Sequence, residues 1–211
     1  MTHAGERMGE NTADGTGKGT ALPEPEYRID PRTLREIPLD PGSAEAWLAT
    51  TAGDGRPASA RIAWLRILGR LPEAEAAARE ALNAVTPAFL HAGALHSGAR
   101  IGAGMLSAGV RPAIRLAQVL QWKGQLSDAL RLLAAVDRFL AAPGHGKPGD
   151  ALVSRAFLHQ HRGKVLLDAG HPVWALTEFR RALHLRIAAG APGDQLQSAE
   201  MAVSEALRRL K

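Results

Sequence analysis

The 211-residue chain contains no cysteine. This absence excludes a disulfide framework, a zinc site built from thiolates, an iron–sulfur cluster and a cysteine nucleophile. Aromatic residues make up only 4% of the chain, which disfavours a β-sandwich with a core of Trp and Phe. The abundant Ala, Leu and Arg residues favour helices, so the composition predicts an all-α protein.

Long apolar runs are also missing from the sequence. No stretch approaches the roughly 18 to 20 apolar residues that span a bilayer. The N-terminal sequence MTHAGERMGENTADG lacks the apolar centre that a secretory signal needs. We therefore expect a cytoplasmic protein that does not associate with a membrane.

Charge is distributed unevenly along the chain, whose net charge is +5. Residues 1–42, here called the acidic leader, contain five basic and eight acidic residues, so the leader carries −3 and the remaining body +8. This split is typical of a body that attracts acidic partners, or of a leader that folds back over a basic surface. An Arg-rich composition also follows from a GC-rich genome, and that explanation stays open.

The leader and the body differ in the structure that they predict. The first half of the leader has almost no large apolar side chains, so it cannot offset the entropy of ordering. Closely spaced prolines prevent a long helix in the second half, but Leu34, Ile37 and Leu39 can dock there as an extended strip. We expect a disordered or extended leader over 1–42 and a helical domain over 43–211.

Apolar residues of the body recur at helical spacings and fall into pairs of helices. Within each pair a glycine breaks the pattern, at Gly69, Gly124 and Gly170. Beyond residue 193 a last helix has one apolar face, as a cap at the end of a helical stack would have. The sequence predicts about three helical hairpins followed by this C-terminal capping helix.

Two stretches interrupt the helical periodicity. Residues 87–110 contain five glycines, which predicts a weakened helix with close packing. The sequence APGHGKPGD, residues 142–150, is typical of a turn-rich linker. We expect Asp150 at its end to cap the N-terminus of the following helix.

The three hairpins share a small residue after the break, and the third also has an aromatic residue at a defined spacing. Each break glycine is followed five residues later by an alanine, and in the third copy this alanine is Ala175. Gly163 lies twelve residues before Ala175, and Phe179 and Ala182 lie four and seven residues after it. This pattern resembles the tetratricopeptide repeat, which places such residues where two helices cross closely.

The repeat length departs from that family. The break glycines are 55 and 46 residues apart, against about 34 residues in a tetratricopeptide repeat. The resemblance therefore implies an irregular right-handed α-solenoid. The segments HQHRGKVLLDAG and WALTEFRRALHLR are also similar to the C-terminal repeat of tetratricopeptide proteins from GC-rich bacteria such as actinobacteria, most of which have no assigned function.

The resemblance implies a concave groove lined by the first helix of each hairpin. Cations, amides and an indole there suit an acidic peptide, since Arg binds carboxylates bidentately and Trp adds rigid contact area. We expect a protein-protein interaction module, a scaffold or adaptor rather than an enzyme; the alternative is an ordinary solvated face. The predicted groove residues are Arg56, Arg66, Arg115, Gln118, Trp122, Gln160, His161 and Lys164.

Histidines of the body support a different function. A small-molecule site or an enzyme of an actinobacterial pathway could use His161, Lys164 and Trp122 in a closed pocket, with residues 87–110 as its lid. His159 and His161 are two residues apart on a helix, so they diverge by about 200° and cannot chelate one metal from one face. We expect no metal, no cofactor and no catalytic residue.

Two glycine-rich segments do not match the phosphate-binding motifs that they resemble, and the basic residues do not form a nucleic-acid-binding pattern. In DGTGKGT, residues 14–20, Gly19 stands where a P-loop needs Ser or Thr, and no strand precedes it. GARIGAG, residues 98–104, has neither the glycine order nor the context of a dinucleotide site. Basic residues are scattered among the helices without an aromatic stacking set, which disfavours nucleic acid.

Overall fold

The computed structural model describes residues 22–50, 58–85, 103–141 and 148–211. Within these ranges the protein is all-α, as predicted, with eight helices and a single two-stranded antiparallel sheet. The elements are β1 (Tyr27–Ile29), β2 (Glu36–Pro38), α1 (Pro41–Thr50), α2 (Ala58–Ile67), α3 (Leu71–Val85), α4 (Ala103–Trp122), α5 (Leu126–Ala141), α6 (Pro148–Asp168), α7 (Pro172–Ala188) and α8 (Gly193–Arg208).

The helices from α2 onward pack in chain order. Each contacts the next along the chain, and the most extensive contact joins α6 to α7. Helices α2, α4, α6 and α8 also form a row in which neighbours touch each other directly. One layer of the protein is therefore built from alternate helices, and side chains on that layer come from distant parts of the sequence.

The breaks within the helical pairs lie at the predicted glycines. Gly69, Gly124 and Gly170 have φ angles of 76°, 76° and 78°, in the left-handed region that favours glycine. At each break the glycine N–H and the next N–H donate to carbonyls of the last helical turn, which is the Schellman arrangement. Gly190 ends α7 in the same way, with a φ of 64°.

The crossing of α6 and α7 explains the small residue at position 163. A Cβ atom added to Gly163 would overlap the ring of Phe179, whose side chain has no solvent exposure. Ala175 and Ala182 are also completely buried. Glycine at this position therefore lets the two helices approach closely enough for the aromatic ring to fill the space between them.

Two apolar clusters form the core. The larger one extends from α1 to α6 and contains Trp47 and Trp64, whose ring centroids are 6.4 Å apart. The smaller one joins α6, α7 and α8 and includes Leu167 and Phe179. It also contains Leu34, which comes from the segment between the two strands. Part of the leader thus completes the core at the C-terminal end of the protein.

The described part of the leader has regular structure of its own. Residues 22–40 form a β-hairpin, and α1 begins at Pro41. Asp40 starts this helix, because its Oδ1 accepts a hydrogen bond of 2.9 Å from the N–H of Gly42. Of the aliphatic residues expected to dock, Leu34 is 2% exposed, whereas Leu39 is 42% exposed.

The structure describes part of each interruption. Helix α6 begins at Pro148, so Asp150, which was expected at the N-cap position, is a residue inside the helix. Proline is well suited to the first turn of a helix, since its missing N–H would have no partner there. Helix α4 includes residues 103–110 of the glycine-rich stretch, and residues 87–102 lie outside the described residues. No helix in the described part of the chain is long and apolar enough to cross a membrane.

Candidate functional site

Residues 22–40, here called the N-terminal hairpin, are a compact acidic unit. The strands pair antiparallel, with Ile29 opposite Glu36. In the turn, Oδ1 of Asp30 accepts hydrogen bonds from the N–H groups of Arg32 and Thr33, at 2.7 and 3.0 Å. The hairpin carries five acidic residues, Glu24, Glu26, Asp30, Glu36 and Asp40, against three basic ones, Arg28, Arg32 and Arg35.

Leu34 anchors the turn of the hairpin in the smaller core cluster. Its side chain shares this cluster with Leu167 of α6, Phe179 of α7 and alanines of α8. Its φ angle is 55°, and no other non-glycine residue in the described ranges has a positive φ. A left-handed conformation costs a leucine roughly 1 to 2 kcal/mol, so contacts with the helices maintain a conformation that a free segment avoids.

Glu36 lies between two buried cations. Nη1 of Arg66 donates to its Oε2 at 2.9 Å, and Nζ of Lys164 is 3.4 Å from its Oε1. The side chains of Arg66, Lys164 and Glu36 are 2%, 10% and 11% exposed. Burial on its own raises the pKa of Glu36, but the charges of Arg66 and Lys164 outweigh burial and hold that pKa well below its ordinary value.

The indole of Trp122 lies beside this ion pair. The guanidinium carbons of Arg66 and Arg35 are 4.6 and 5.1 Å from the ring centroid. Nη2 of Arg35 also lies 3.6 Å from Oδ2 of Asp168, which accepts a hydrogen bond of 2.9 Å from Gln121. The hairpin therefore contributes a carboxylate, from Glu36, and a guanidinium, from Arg35, to the layer of alternate helices. The side of this layer that contacts the hairpin is here called the inner face.

A second polar chain runs from α4 to α6. Nη1 of Arg115 donates to Oε1 of Gln118 at 3.0 Å, and Nε2 of Gln118 lies 2.7 Å from Nε2 of His161. Because arginine only donates, the amide nitrogen of Gln118 must donate to the ring, which leaves the His161 proton on Nδ1. The ring of Phe157 meets the ring of His161 edge-on, with ring centroids 4.4 Å apart.

The imidazole of His161 is held in its neutral form. Burial is the main cause that lowers its pKa well below the ordinary value, and the charge of Lys164 acts in the same direction. Glu36 opposes this shift, while Arg115 and Arg66 add to it. Nδ1 of His161 is buried and has no hydrogen-bond partner among the described residues.

The structure brings together most of the predicted groove residues. Arg66 and Lys164 pair with Glu36, and the guanidinium of Arg66 lies over the ring of Trp122. Arg115, Gln118 and His161 form the second polar chain. Gln160 is 3% exposed, and both atoms of its amide group lack a hydrogen bond within the described part of the chain. Arg56 lies outside the described residues.

Sequence reasoning missed the residues that occupy this face. Glu36 and Arg35 were not among the predicted groove residues, although they lie inside the strip that was expected to dock. The signal was present, because Glu36 is the only acidic residue between the aliphatic residues Leu34 and Leu39. A carboxylate at the centre of a docking strip, facing a body of opposite charge, points to a contact between the two.

Further contacts extend the hairpin across the row of helices. Nε1 of Trp64 donates to Oε1 of Glu24 at 3.2 Å, and the ring of Tyr27 meets Trp64 edge-on with centroids 6.0 Å apart. At the opposite end, Nη2 of Arg209 donates to the carbonyl of Arg32 at 3.0 Å. The hairpin thus contacts residues from α2 to the end of α8.

The side of α6 and α7 that carries Glu178, here called the outer face, has a separate basic surface. Buried Glu178 accepts hydrogen bonds from His159 and Arg181, at 2.7 and 3.2 Å, and Arg162 lies 3.6 Å away. Trp174, also on α7, is 67% exposed. A shallow basin of about 520 Å³ opens on this side and is lined by Arg155, His159, Thr177, Arg180, Arg181, His184 and Leu185.

Neither surface gathers the side chains of a metal site. Among the described residues, no group of three or more His, Asp or Glu side chains is placed to hold a metal ion. A comparison with family models, curated proteins and solved structures finds no match for the chain. A function for this chain is therefore inferred from the geometry of its own residues.

Proposed function

We propose that the protein is a non-enzymatic interaction module whose inner face binds an acidic, extended segment of a protein partner. The observation that carries this proposal is the position of Glu36, which pairs with Arg66 and Lys164 in a buried setting. A carboxylate from an extended segment is the ligand chemistry that this face accommodates. In the present structure the chain's own hairpin supplies it.

Electrostatics supports the proposal. A buried cation without a counter-charge is costly, because the low-dielectric interior replaces water as its surroundings. Arg66 and Lys164 both point at Glu36, which comes from outside the helical layers. The inner face therefore needs an anion from an added segment, and an acidic partner satisfies this need in the same way as the hairpin.

The architecture that we propose for this module is an irregular right-handed α-solenoid of tetratricopeptide type. Three features support it: helical pairs that break at Gly69, Gly124 and Gly170, the row of alternate helices, and the close approach of Gly163 to Phe179. In such a solenoid the row from α2 to α8 forms the concave groove. The proposed module acts in the cytoplasm as a scaffold or adaptor.

A competition between the hairpin and a separate peptide tests the function. We would label a synthetic peptide of residues 22–40 and titrate it against full-length Glu36→Gln and Glu26→Gln chains by fluorescence anisotropy. Glu26 is exposed and forms no ion pair with a helix in the described part of the chain, so its variant is the matched control. Since a tethered segment has an effective concentration of about a millimolar, the wild-type hairpin should exclude the peptide.

We expect the Glu36→Gln chain to bind the peptide at least about tenfold more tightly than the control, because the loss of one charge-assisted pair weakens the resident hairpin. Adding Lys164→Met to Glu36→Gln should abolish this binding while circular dichroism stays helical. If folded Glu36→Gln protein does not bind the peptide, the inner face is not a peptide-binding surface.

A small-molecule site is the second candidate function. It is favoured by the neutral imidazole of His161, whose buried Nδ1 has no partner among the described residues and which lies close to Lys164. A metabolite that hydrogen-bonds to Nδ1 would stay with the protein through gentle purification. Native mass spectrometry of the full chain would detect it as a bound mass that His161→Gln removes.

A further inference from the structure

Two neighbouring side chains of the hairpin enter two different sites on the helices. Leu34 fills an apolar site between α6, α7 and α8, together with Leu167 and Phe179. Glu36, two residues later, enters the cationic site formed by α2 and α6. Both sites are on the helices and are fixed relative to each other, since α6 contributes to both.

We propose that the inner face recognises a Leu-x-Glu pattern in the partner segment, and that residues 34–36 are a resident copy that the partner must replace. This inference rests on the proposed function and adds its specificity. The partner is a protein with an exposed, extended segment that carries an aliphatic residue without a branch at Cβ, such as leucine, two positions before a glutamate. Net negative charge alone does not meet this requirement.

The backbone of Leu34 restricts the first position of the pattern. At a φ of 55° the side chain leaves the backbone in a left-handed conformation, and a β-branched residue is much more strongly disfavoured there than leucine. Isoleucine has the same atoms as leucine and similar hydrophobicity. The site should nevertheless prefer leucine to isoleucine. A purely hydrophobic pocket around a residue with a relaxed backbone would not show this preference.

The middle residue of the pattern faces a less demanding environment. Arg35 is 42% exposed and contacts Trp122 and Asp168 at the edge of the site. Exposed contacts of this kind contribute little energy, because water competes for the same charges. Positions 34 and 36 should therefore set affinity, and position 35 should tolerate substitution.

The hairpin has the properties of a bound ligand rather than of a helical repeat. Its strands are three residues long and, among the described residues, pair with no other strand. An isolated two-stranded hairpin is marginally stable in water. Side-chain contacts with α2, α4, α6 and the end of α8 hold it in place. Because the hairpin is tethered, it excludes weak partners and admits only those that match both sites.

An exchange experiment tests the pattern on the intact protein. A protease site inserted between Leu39 and Asp40 allows the folded full-length chain to be cut, so that residues 1–39 are held only by contacts. Labelled peptides of residues 22–40 are then added in excess, and their entry is followed by anisotropy and native mass spectrometry. The peptides are the native sequence, Leu34→Ala, Leu34→Ile, Glu36→Gln and a scramble of equal composition.

Two further peptides provide matched controls. Leu39→Ala removes an aliphatic residue that is 42% exposed, and Glu26→Gln removes an exposed carboxylate. We expect the native peptide and both controls to bind alike. Leu34→Ala should bind about thirtyfold more weakly or worse, as for a buried leucine. Leu34→Ile and Glu36→Gln should each lose about tenfold.

The possible failures are distinguishable. Equal binding of the native peptide and its scramble would overturn the Leu-x-Glu pattern but leave an acidic groove in place. If residues 1–39 leave the cut protein and no peptide enters, the proposed function itself fails. If residues 1–39 stay bound for days against excess native peptide, the hairpin is a permanent part of the fold and the exchange is overturned.

Discussion

Each face of α6 buries a carboxylate that pairs with cations, but the two faces take this carboxylate from different parts of the chain. On the inner face, Lys164 pairs with Glu36, which is 128 residues away in sequence. On the outer face, His159 pairs with Glu178, only 19 residues away on the adjacent helix. The two carboxylates are similarly buried, with side chains that are 11% and 8% exposed. The difference between the faces lies in the cations.

The cations of the two faces differ in exposure and in their further partners. On the outer face Arg181 is 59% exposed and His159 is 12% exposed, whereas Arg66 and Lys164 on the inner face are 2% and 10% exposed. Arg162 on the outer face is 17% exposed and has Asp137 as a second partner. Removal of the outer carboxylate therefore leaves cations that water or another acid can stabilise, while removal of the inner one leaves two cations inside the protein.

The largest expected effect is that of Glu36→Gln on stability. The substitution should lower the free energy of unfolding by about 3 kcal/mol, since breaking a buried pair costs more than the pair contributes. Urea denaturation monitored by circular dichroism measures this change, and Glu26→Gln is the control. A loss equal to that of the control would mean that the buried ion pair does not hold the hairpin.

A slightly smaller loss should follow Gly163→Ala, which disturbs the helix pair behind both faces. The new methyl group would overlap the ring of Phe179, and inserting an atom into a packed core costs about 1 to 3 kcal/mol. Phe179→Leu in the same chain should recover part of the loss by making room. Thermal unfolding of the single and double variants would show this, and equal melting temperatures for the wild type and Gly163→Ala would contradict the close crossing.

The sequence predicted the parts of the fold that depend on local chemistry. A glycine after a helical stripe has one strong physical meaning, so the breaks at Gly69, Gly124 and Gly170 were found. The close approach of Gly163 and Phe179 was implied by the resemblance to the tetratricopeptide repeat, whose pattern covers both residues within one hairpin. Helical periodicity likewise placed the seven described groove residues on α2, α4 and α6.

The occupation of the inner face could not be predicted in the same way. It depends on where a proline-rich segment docks, and no periodicity connects Glu36 with Lys164. The short strands pair through backbone groups, and alternation over three residues is too brief a signal to detect. A charge split between leader and body indicated only that the two could meet.

A pH titration would sharpen the comparison, because the inner face buries the neutral imidazole of His161. The unfolded chain protonates His161 near its ordinary pKa, while the folded chain resists protonation. Stability should thus be level above pH ~6.5 and decrease below it, by at most about 1.4 kcal/mol per pH unit. The charged groups that face His161 are Lys164, Glu36, Arg115 and Arg66.

The variant His161→Gln isolates this contribution. Its amide can still accept the hydrogen bond from Gln118, so the packing is retained while the titration is removed. Urea midpoints at several pH values should decrease less steeply between pH ~6.5 and ~5 in the variant than in the wild type. Glu36 has a lowered pKa, so its stabilisation is lost only below pH ~4.5 and in both proteins. Parallel slopes would place the acid sensitivity elsewhere.

The smallest expected effect is that of Glu178→Gln on the outer face. Arg181 can turn into solvent, and Arg162 retains Asp137, so the loss should be about 1 kcal/mol or less despite the burial of the carboxylate. Urea denaturation of this variant and of Glu36→Gln compares the losses in the free energy of unfolding for the two faces. A loss from Glu178→Gln as large as that from Glu36→Gln would mean that carboxylate burial, rather than cation burial, sets the energy. The buried cations of the inner face would then not require an acidic segment.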